Sequence, residues 1–205
     1  ELYRAQGQYA EAEPLYKRAL SIWEKALGTD HPHVALSLNN LAEFYRAQGQ
    51  YAQAEPLYKR SLVIRENAFG ADHPDVAASL NNLAELYRAQ GEYARAEPLW
   101  QRSLAISEKA FGPDHPRVAF GLNNLALLYK TQGKHAKAEP LYKRALAIRE
   151  EALGPDHADV AASLNNLAAL YDAQGQYGEA EPLYERARAI WEESVGPYHP
   201  SEAKG

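Results

Sequence analysis

The chain repeats itself every 42 residues. Gly7, Gly49, Gly91, Gly133 and Gly175 are evenly spaced, as are His31, His73, His115, His157 and His199 and the Glu-Pro pairs beginning at Glu13, Glu55, Glu97, Glu139 and Glu181. Between Pro32–His73 and Pro74–His115, 31 of 42 positions are identical. A fixed period of this length excludes a single central core. Each repeat is one supersecondary unit that buries its apolar face against its neighbours, so the chain reads as a solenoid. Residues 1–205 are expected to form one array: a partial repeat 1–31, complete repeats 32–73, 74–115, 116–157 and 158–199, and a tail 200–205.

Within the repeat 32–73, Leu38, Leu41, Ala42 and Tyr45 fall at i, i+3, i+4, i+7, one face of an α-helix. This predicts a helix A over about Pro32–Gln48. Asp30 or His31 supplies its N-cap, Pro32 suits the first turn, and Gly49 ends it with a positive φ. A helix B is predicted over about Gln50–Phe69, with Tyr51, Ala54, Tyr58, Ser61 and Leu62 as its buried stripe. Pro56 lies inside helix B and removes a backbone hydrogen bond, so a bend is expected near Ala52–Pro56. Loops of four or five residues fit antiparallel packing. The expected fold is all-α, a right-handed superhelical solenoid of antiparallel helix pairs. Glu1–Gln6 read as the end of a further helix A. Polar replacements in the last repeat, namely Asp172, Arg188 and Glu202, fit a cap that faces water.

Composition narrows the function. A net charge of −5 argues against nucleic acid as a partner, and no stretch approaches the roughly 18 consecutive apolar residues of a membrane span. The absence of cysteine rules out disulfides and thiolate metal sites. It fits a reducing compartment, and a cytoplasmic location is expected. No methionine is present and Glu1 falls in mid-repeat, as expected of a piece of a longer protein.

No catalytic constellation emerges. The serines are periodic helix residues, such as Ser37, Ser79 and Ser163. There is no phosphate-binding glycine loop and no nucleophile elbow. Carboxylates such as Glu55 and Glu97 recur once per repeat rather than as a pair. The recurring histidines are too far apart to share an ion, because packed helix axes lie about 8–10 Å apart and metal ligands must converge at about 2 Å. They read as loop or cap residues, and His33 and His135 as solvated. No enzyme activity, metal or cofactor is expected.

The asparagine pairs Asn39/Asn40, Asn81/Asn82, Asn123/Asn124 and Asn165/Asn166 carry the clearest functional signal. Asparagine is a poor helix former, so eight of them in mid-helix need compensation. Their amides either bond to neighbouring helices or clamp a peptide backbone, since an amide offers donors and acceptors. Arg4, Arg46, Arg88 and Lys130 form a basic row. Glu1, Glu43 and Glu85 stand three residues before the first three and can pair with them, whereas Leu127 precedes Lys130 and leaves its charge free. Phe120 replaces Leu36, Ala78 and Ala162. Phe120 and Leu127 are thus expected to receive an apolar or aromatic side chain, with Lys130, Arg88 and Arg46 favouring acidic neighbours.

Leu38-x-x-Leu41-Ala42-x-x-Tyr45, followed by Gly49, Tyr51 and Ala54, resembles the tetratricopeptide pattern. The 42-residue length, with Leu38-Asn39-Asn40-Leu41-Ala42, Ala54-Glu55-Pro56-Leu57-Tyr58 and Asp72-His73-Pro74, resembles the kinesin light chain type across essentially the whole chain. The resemblance implies a groove, lined by A helices, that holds a short peptide segment of another protein, and it places at least one asparagine of each pair there. It also extends to repeats attached to bacterial NTPase or protease domains, which makes a sensor arm of a signalling protein an alternative. A further alternative is self-association through the array ends. Trp23 and Trp191 occupy one helix-B position where the middle repeats have Arg65, Ser107 and Arg149, and exposed tryptophans would drive such contacts.

Overall fold

The computed structural model describes the backbone of residues 9–195 and the side chains of 11–193. The expected helix end at Glu1–Gln6, the cation Arg4, His199 and the capping change at Glu202 lie outside the described residues. The described helices are α1 (Tyr9–Leu27), α2 (Pro32–Ala47), α3 (Tyr51–Phe69), α4 (Pro74–Ala89), α5 (Tyr93–Phe111), α6 (Pro116–Thr131), α7 (His135–Leu153), α8 (Ala158–Ala173) and α9 (Tyr177–Val195). There is no strand among the described residues. The even-numbered helices are the A helices of successive repeats and the odd-numbered ones the B helices. The chain divides into two compact bodies, Glu1–Ala110 and Phe111–Gly205.

Each A helix starts where the recurring histidine predicts. Nδ1 of His31 accepts the backbone N–H of His33 at 3.2 Å, and His73 does the same for Asp75. His115 and His157 cap α6 and α8 alike. These side chains satisfy N–H groups that the helix itself leaves unpaired. At the other end of α2, Gly49 takes φ +72°. Its N–H donates to Arg46 O and that of Gln50 to Tyr45 O, the paired bonds of a Schellman motif that only a left-handed residue permits. Helix α3 continues through Pro56 as one element.

Packing in the first body is built from the small and branched residues of the A helices. Val34, Ala35 and Leu38 of α2 meet Ile64 of α3, with Leu20 of α1 against them. Val76, Ala77 and Leu80 of α4 meet Ile106 of α5, with Leu62 of α3 against them. In this body α2 and α4 are therefore each wedged between their own B helix and the preceding one. In the second body Val160, Ala161, Leu164, Ala187 and Ile190 form the matching cluster, joined by Leu146 of α7. All four residues of the predicted A stripe are buried. The B stripe needs one correction: Ile64 is buried, while Tyr51 and Leu62 are only half-buried. Leu62 turns toward the next repeat instead.

Polar ties reinforce the stacking at fixed intervals. Ser61 Oγ donates to Ala35 O and Ser103 Oγ to Ala77 O, both at 2.8 Å. Arg60 donates to Thr29 O and pairs with Glu24 at 2.7 Å, and Arg102 repeats this with Ala71 O and Glu66. In the second body Arg186 does so with Pro155 O and Glu150. Each arginine pins the loop behind it to its own B helix.

Candidate functional site

The A helices carry a second, more accessible stripe on the side away from these clusters. On α6 it consists of Phe120, Asn123, Asn124, Leu127 and Lys130. Their offsets of three, four, seven and ten place them on one helix face. The matching residues are Leu36, Asn39, Asn40, Glu43 and Arg46 on α2, and Ala78, Asn81, Asn82, Glu85 and Arg88 on α4. On α8 they are Ala162, Asn165, Asn166, Ala169 and Asp172.

The asparagines link successive A helices. Asn82 Nδ2 donates to Asn39 Oδ1 at 2.8 Å, joining α4 to α2. Asn166 Nδ2 donates to Asn123 Oδ1 at the same distance, joining α8 to α6. The second asparagine of one pair thus serves the first of the pair before. Asn81 Oδ1 accepts from Trp100 Nε1 at 2.9 Å, which ties α4 to its own B helix. Asn40 is exposed and Asn124 and Asn165 are half-buried. These bonds supply the compensation that mid-helix asparagine requires. They use one amide hydrogen of Asn82 and Asn166 and leave each amide further capacity.

The basic row divides as its spacing predicts. Arg46 makes a two-point contact with Glu43, Nε to Oε2 at 2.8 Å and Nη2 to Oε1 at 2.6 Å, and reaches Glu85 at 3.9 Å. Arg88 grips Glu85 in the same way. Hydrogen bonding to these carboxylates raises both guanidinium pKa values above the ordinary one. Lys130 differs. No described carboxylate lies within ion-pair distance of its ammonium, and burial holds its pKa below that of an ordinary lysine, with Asp172 pulling it the other way. Phe120 is 52% exposed, so a large apolar ring stands in solvent seven residues before Leu127 on the same face.

One residue that the spacing left aside also reaches this stripe. Tyr58 of α3 donates to Glu43 Oε2 at 2.8 Å. Tyr142 of α7 holds the same place in its repeat, but its hydroxyl is buried without a partner. The signal was present: Leu127 replaces Glu43 while the tyrosine persists. Of the two isolated histidines expected in solvent, His33 is exposed and stacks on Trp23 and His31. His135 is the correction: it opens α7 half-buried, with Nδ1 sealed from solvent, at the position where α3 and α5 begin with the half-buried Tyr51 and Tyr93. Trp23 and Trp191 are 39% and 40% exposed.

Among the described residues no cluster of histidines and carboxylates is arranged to hold a metal ion, and no helix is long and apolar enough to cross a membrane.

The tetratricopeptide repeat family matches residues 1–62, 33–99, 75–151, 122–193 and 159–204, and the chain belongs to that family. Within it the chain is of the kinesin light chain type. A solved putative kinesin light chain from Podosopora anserina, with nearly identical repeats, is 32% identical over 94% of this chain and 91% of its own, with a TM-score of 0.81. BtubC (BKLC) from P. vanneervenii is 29% identical over 100% of this chain and 81% of its own, with a TM-score of 0.83. MamA, at 19% identity and a TM-score of 0.62, shares the fold alone. No curated protein matches the chain by sequence.

Proposed function

We propose that this chain is an adaptor or scaffold module that holds a short segment of a partner protein against the accessible stripe of its A helices and performs no chemistry of its own. Tetratricopeptide repeats are protein-interaction modules, and the observation that carries the finer reading is the stripe on α6. There an exposed Phe120, the Asn123 amide and an ammonium with no described carboxylate at ion-pair distance lie on one face. An apolar or aromatic anchor against Phe120 and Leu127, backbone hydrogen bonds to asparagine amides and an acidic residue near Lys130 would use all three. Arg46 and Arg88 contribute less, because Glu43 and Glu85 already engage them. An extended segment of roughly 6–12 residues fits, at about 3.3 Å per residue over a few helix spacings. Exposed charges make its binding modest and salt-sensitive.

The test is a peptide-array screen, followed by mapping of the best hit through amide chemical shifts. Perturbations centred on Phe120, Asn123, Leu127 and Lys130 support the reading. Perturbations confined to the outer faces of the B helices overturn it.

Self-association through the ends is the second reading, favoured by the partial exposure of Trp23 and Trp191. Trp23 already shares its ring face with His33 at 5.0 Å between centroids, which leaves less of it for a second copy.

A further inference from the structure

A B helix meets the A helix that follows it through three positions. The first is the glutamate of the Glu-Pro pair: Glu55 accepts from Tyr87 of α4 and Glu139 from Tyr171 of α8. The second is a leucine seven residues on: Leu62 and Leu146 pack against the apolar clusters of α4 and α8. The third lies three residues further. There Arg65 donates to Asp75 O and Ser79 Oγ of α4, and Arg149 to Asp159 O and Ser163 Oγ of α8. The glutamate stands early in the B helix and its tyrosine late in the A helix, so the two helices run antiparallel.

In α9 these positions hold Glu181, Arg188 and Trp191, and no described helix follows. No described residue donates to Glu181. Lys59 and Lys143 pair with Glu55 and Glu139, but Glu185 takes their place here. Tyr184 is 37% exposed, whereas Tyr58 and Tyr142, its counterparts in α3 and α7, are 1% exposed. Asp172, Tyr177, Glu181, Tyr184, Glu185 and Arg188 line an open recess of about 490 Å³. The recess is acidic and aromatic toward the start of α9. Further along stand Arg188, which reaches Glu192 at 3.4 Å, and the half-exposed Trp191 ring.

The first body shows what such a face accepts. Beside Glu55, the guanidinium of Arg95 lies over the Tyr87 ring at 3.8 Å and donates to both the carboxylate and the tyrosine hydroxyl. Charge-assisted bonds and the ring face together favour arginine there. Arg188 turns the leucine position into one that calls for a carboxylate. The A helices of a second copy do not suit this face. Those of α2, α4 and α8 already carry a preceding B helix on the side that would dock, and they meet its leucine with apolar residues.

We propose that the exposed face of α9 docks an amphipathic helix of a partner protein, antiparallel to α9, with a carboxylate in its first half for Arg188 and a tyrosine and an arginine in its last turn for Glu181 and Glu185. This order of charges also suits the dipole of the incoming helix. The face from Tyr177 to Trp191 spans about 21 Å at about 1.5 Å per residue, so a helix as long as the A helices covers it. The surface is separate from the A-helix stripe and does not depend on it.

The probe is a peptide with the sequence of α4, Pro74–Ala89, carrying Val76→Glu and a lactam staple on its solvent side that keeps it helical. It presents Tyr87 and Arg88 in its last turn. The readout is the Trp191 indole resonance and the α9 amides. Saturable shifts are expected there, with Asn123 and Lys130 unmoved. Glu181→Arg with Glu185→Arg changes two exposed side chains and should weaken the probe about tenfold or more. An Arg88→Glu probe should bind that variant more tightly than it binds the wild type, a reversal that a merely structural role would not produce. No shift at Trp191, no reversal on charge exchange, or shifts centred on Asn123 and Lys130 overturns the proposal. So does a Trp191 resonance that moves with protein concentration alone, which makes a second copy the occupant. A peptide screen that finds nothing for the A-helix stripe leaves this result untouched.

Discussion

The hydroxyl of Tyr87 donates to the carboxylate of Glu55 across 2.9 Å, joining helix α4 to helix α3 of the preceding repeat. The same bond recurs from Tyr45 to Glu13 at 2.8 Å and, in the second body, from Tyr171 to Glu139 at 3.0 Å. The ring of Tyr87 is only 4% exposed, and Arg95 lies over its face at 3.8 Å. Tyr87→Ala is therefore expected to cost about 3–5 kcal/mol in urea unfolding, as deletions of large buried aromatics do. Tyr87→Phe keeps the ring and should cost about 1.5–3 kcal/mol, the worth of a hydrogen bond to a charged group. A loss below about 1 kcal/mol for the alanine variant would show that this face does not bury the ring.

Glu55 also predicts a pH dependence. Hydrogen bonds from Lys59, Arg95 and Tyr87 lower its carboxyl pKa from 4.5 to about 2. A carboxylate depressed on folding contributes stability that is whole above its unfolded pKa and fades as pH falls through the folded value. The contribution should hold above about pH 4.5 and disappear toward pH 2. Glu55→Gln removes that titration, so its unfolding free energy should be flatter than the wild type's across this window. Parallel curves for the two proteins from pH 5 to 2 would contradict the assignment.

The amide link between α4 and α2 has its own signature. Asn82→Ala leaves Asn39 Oδ1 without its donor and should cost about 1–3 kcal/mol, the penalty for an unsatisfied polar group. Asn39→Ala should cost a similar amount, and the double variant less than the sum, because the two residues share one bond. Strict additivity in chemical denaturation would show that the bond contributes nothing.

Self-association is checked by light scattering across concentration. If the wild type forms oligomers, the variant carrying Trp23→Ser and Trp191→Ser should be monomeric. Oligomers that persist without both rings would remove the tryptophans from that reading.

Much of this structure could be read in the sequence because periodicity exposes it. The A stripe of Leu38, Leu41, Ala42 and Tyr45, the histidine caps and the turn at Gly49 are local, set by spacing within one helix or by a single backbone angle. The misplacement of Leu62 shows where local reading stops. An amphipathic helix that packs on two neighbours has two apolar faces, and spacing alone does not say which is covered first. Residue type also suggested that the asparagines would bond between helices or hold a ligand, but their pairing at a separation of 43 depends on how adjacent A helices align. The orphaned hydroxyl of Tyr142 lay further out of reach. It becomes visible only once Tyr58 is seen on Glu43 and Leu127 is seen to have replaced that acceptor.

The most direct test of the account is titration of the best peptide from the array screen against wild type, Asn123→Ala and Lys130→Glu by isothermal calorimetry at two salt concentrations. Both variants should bind more weakly, with Lys130→Glu losing most of the salt dependence. If both bind as the wild type does, the A-helix stripe is not where the partner sits.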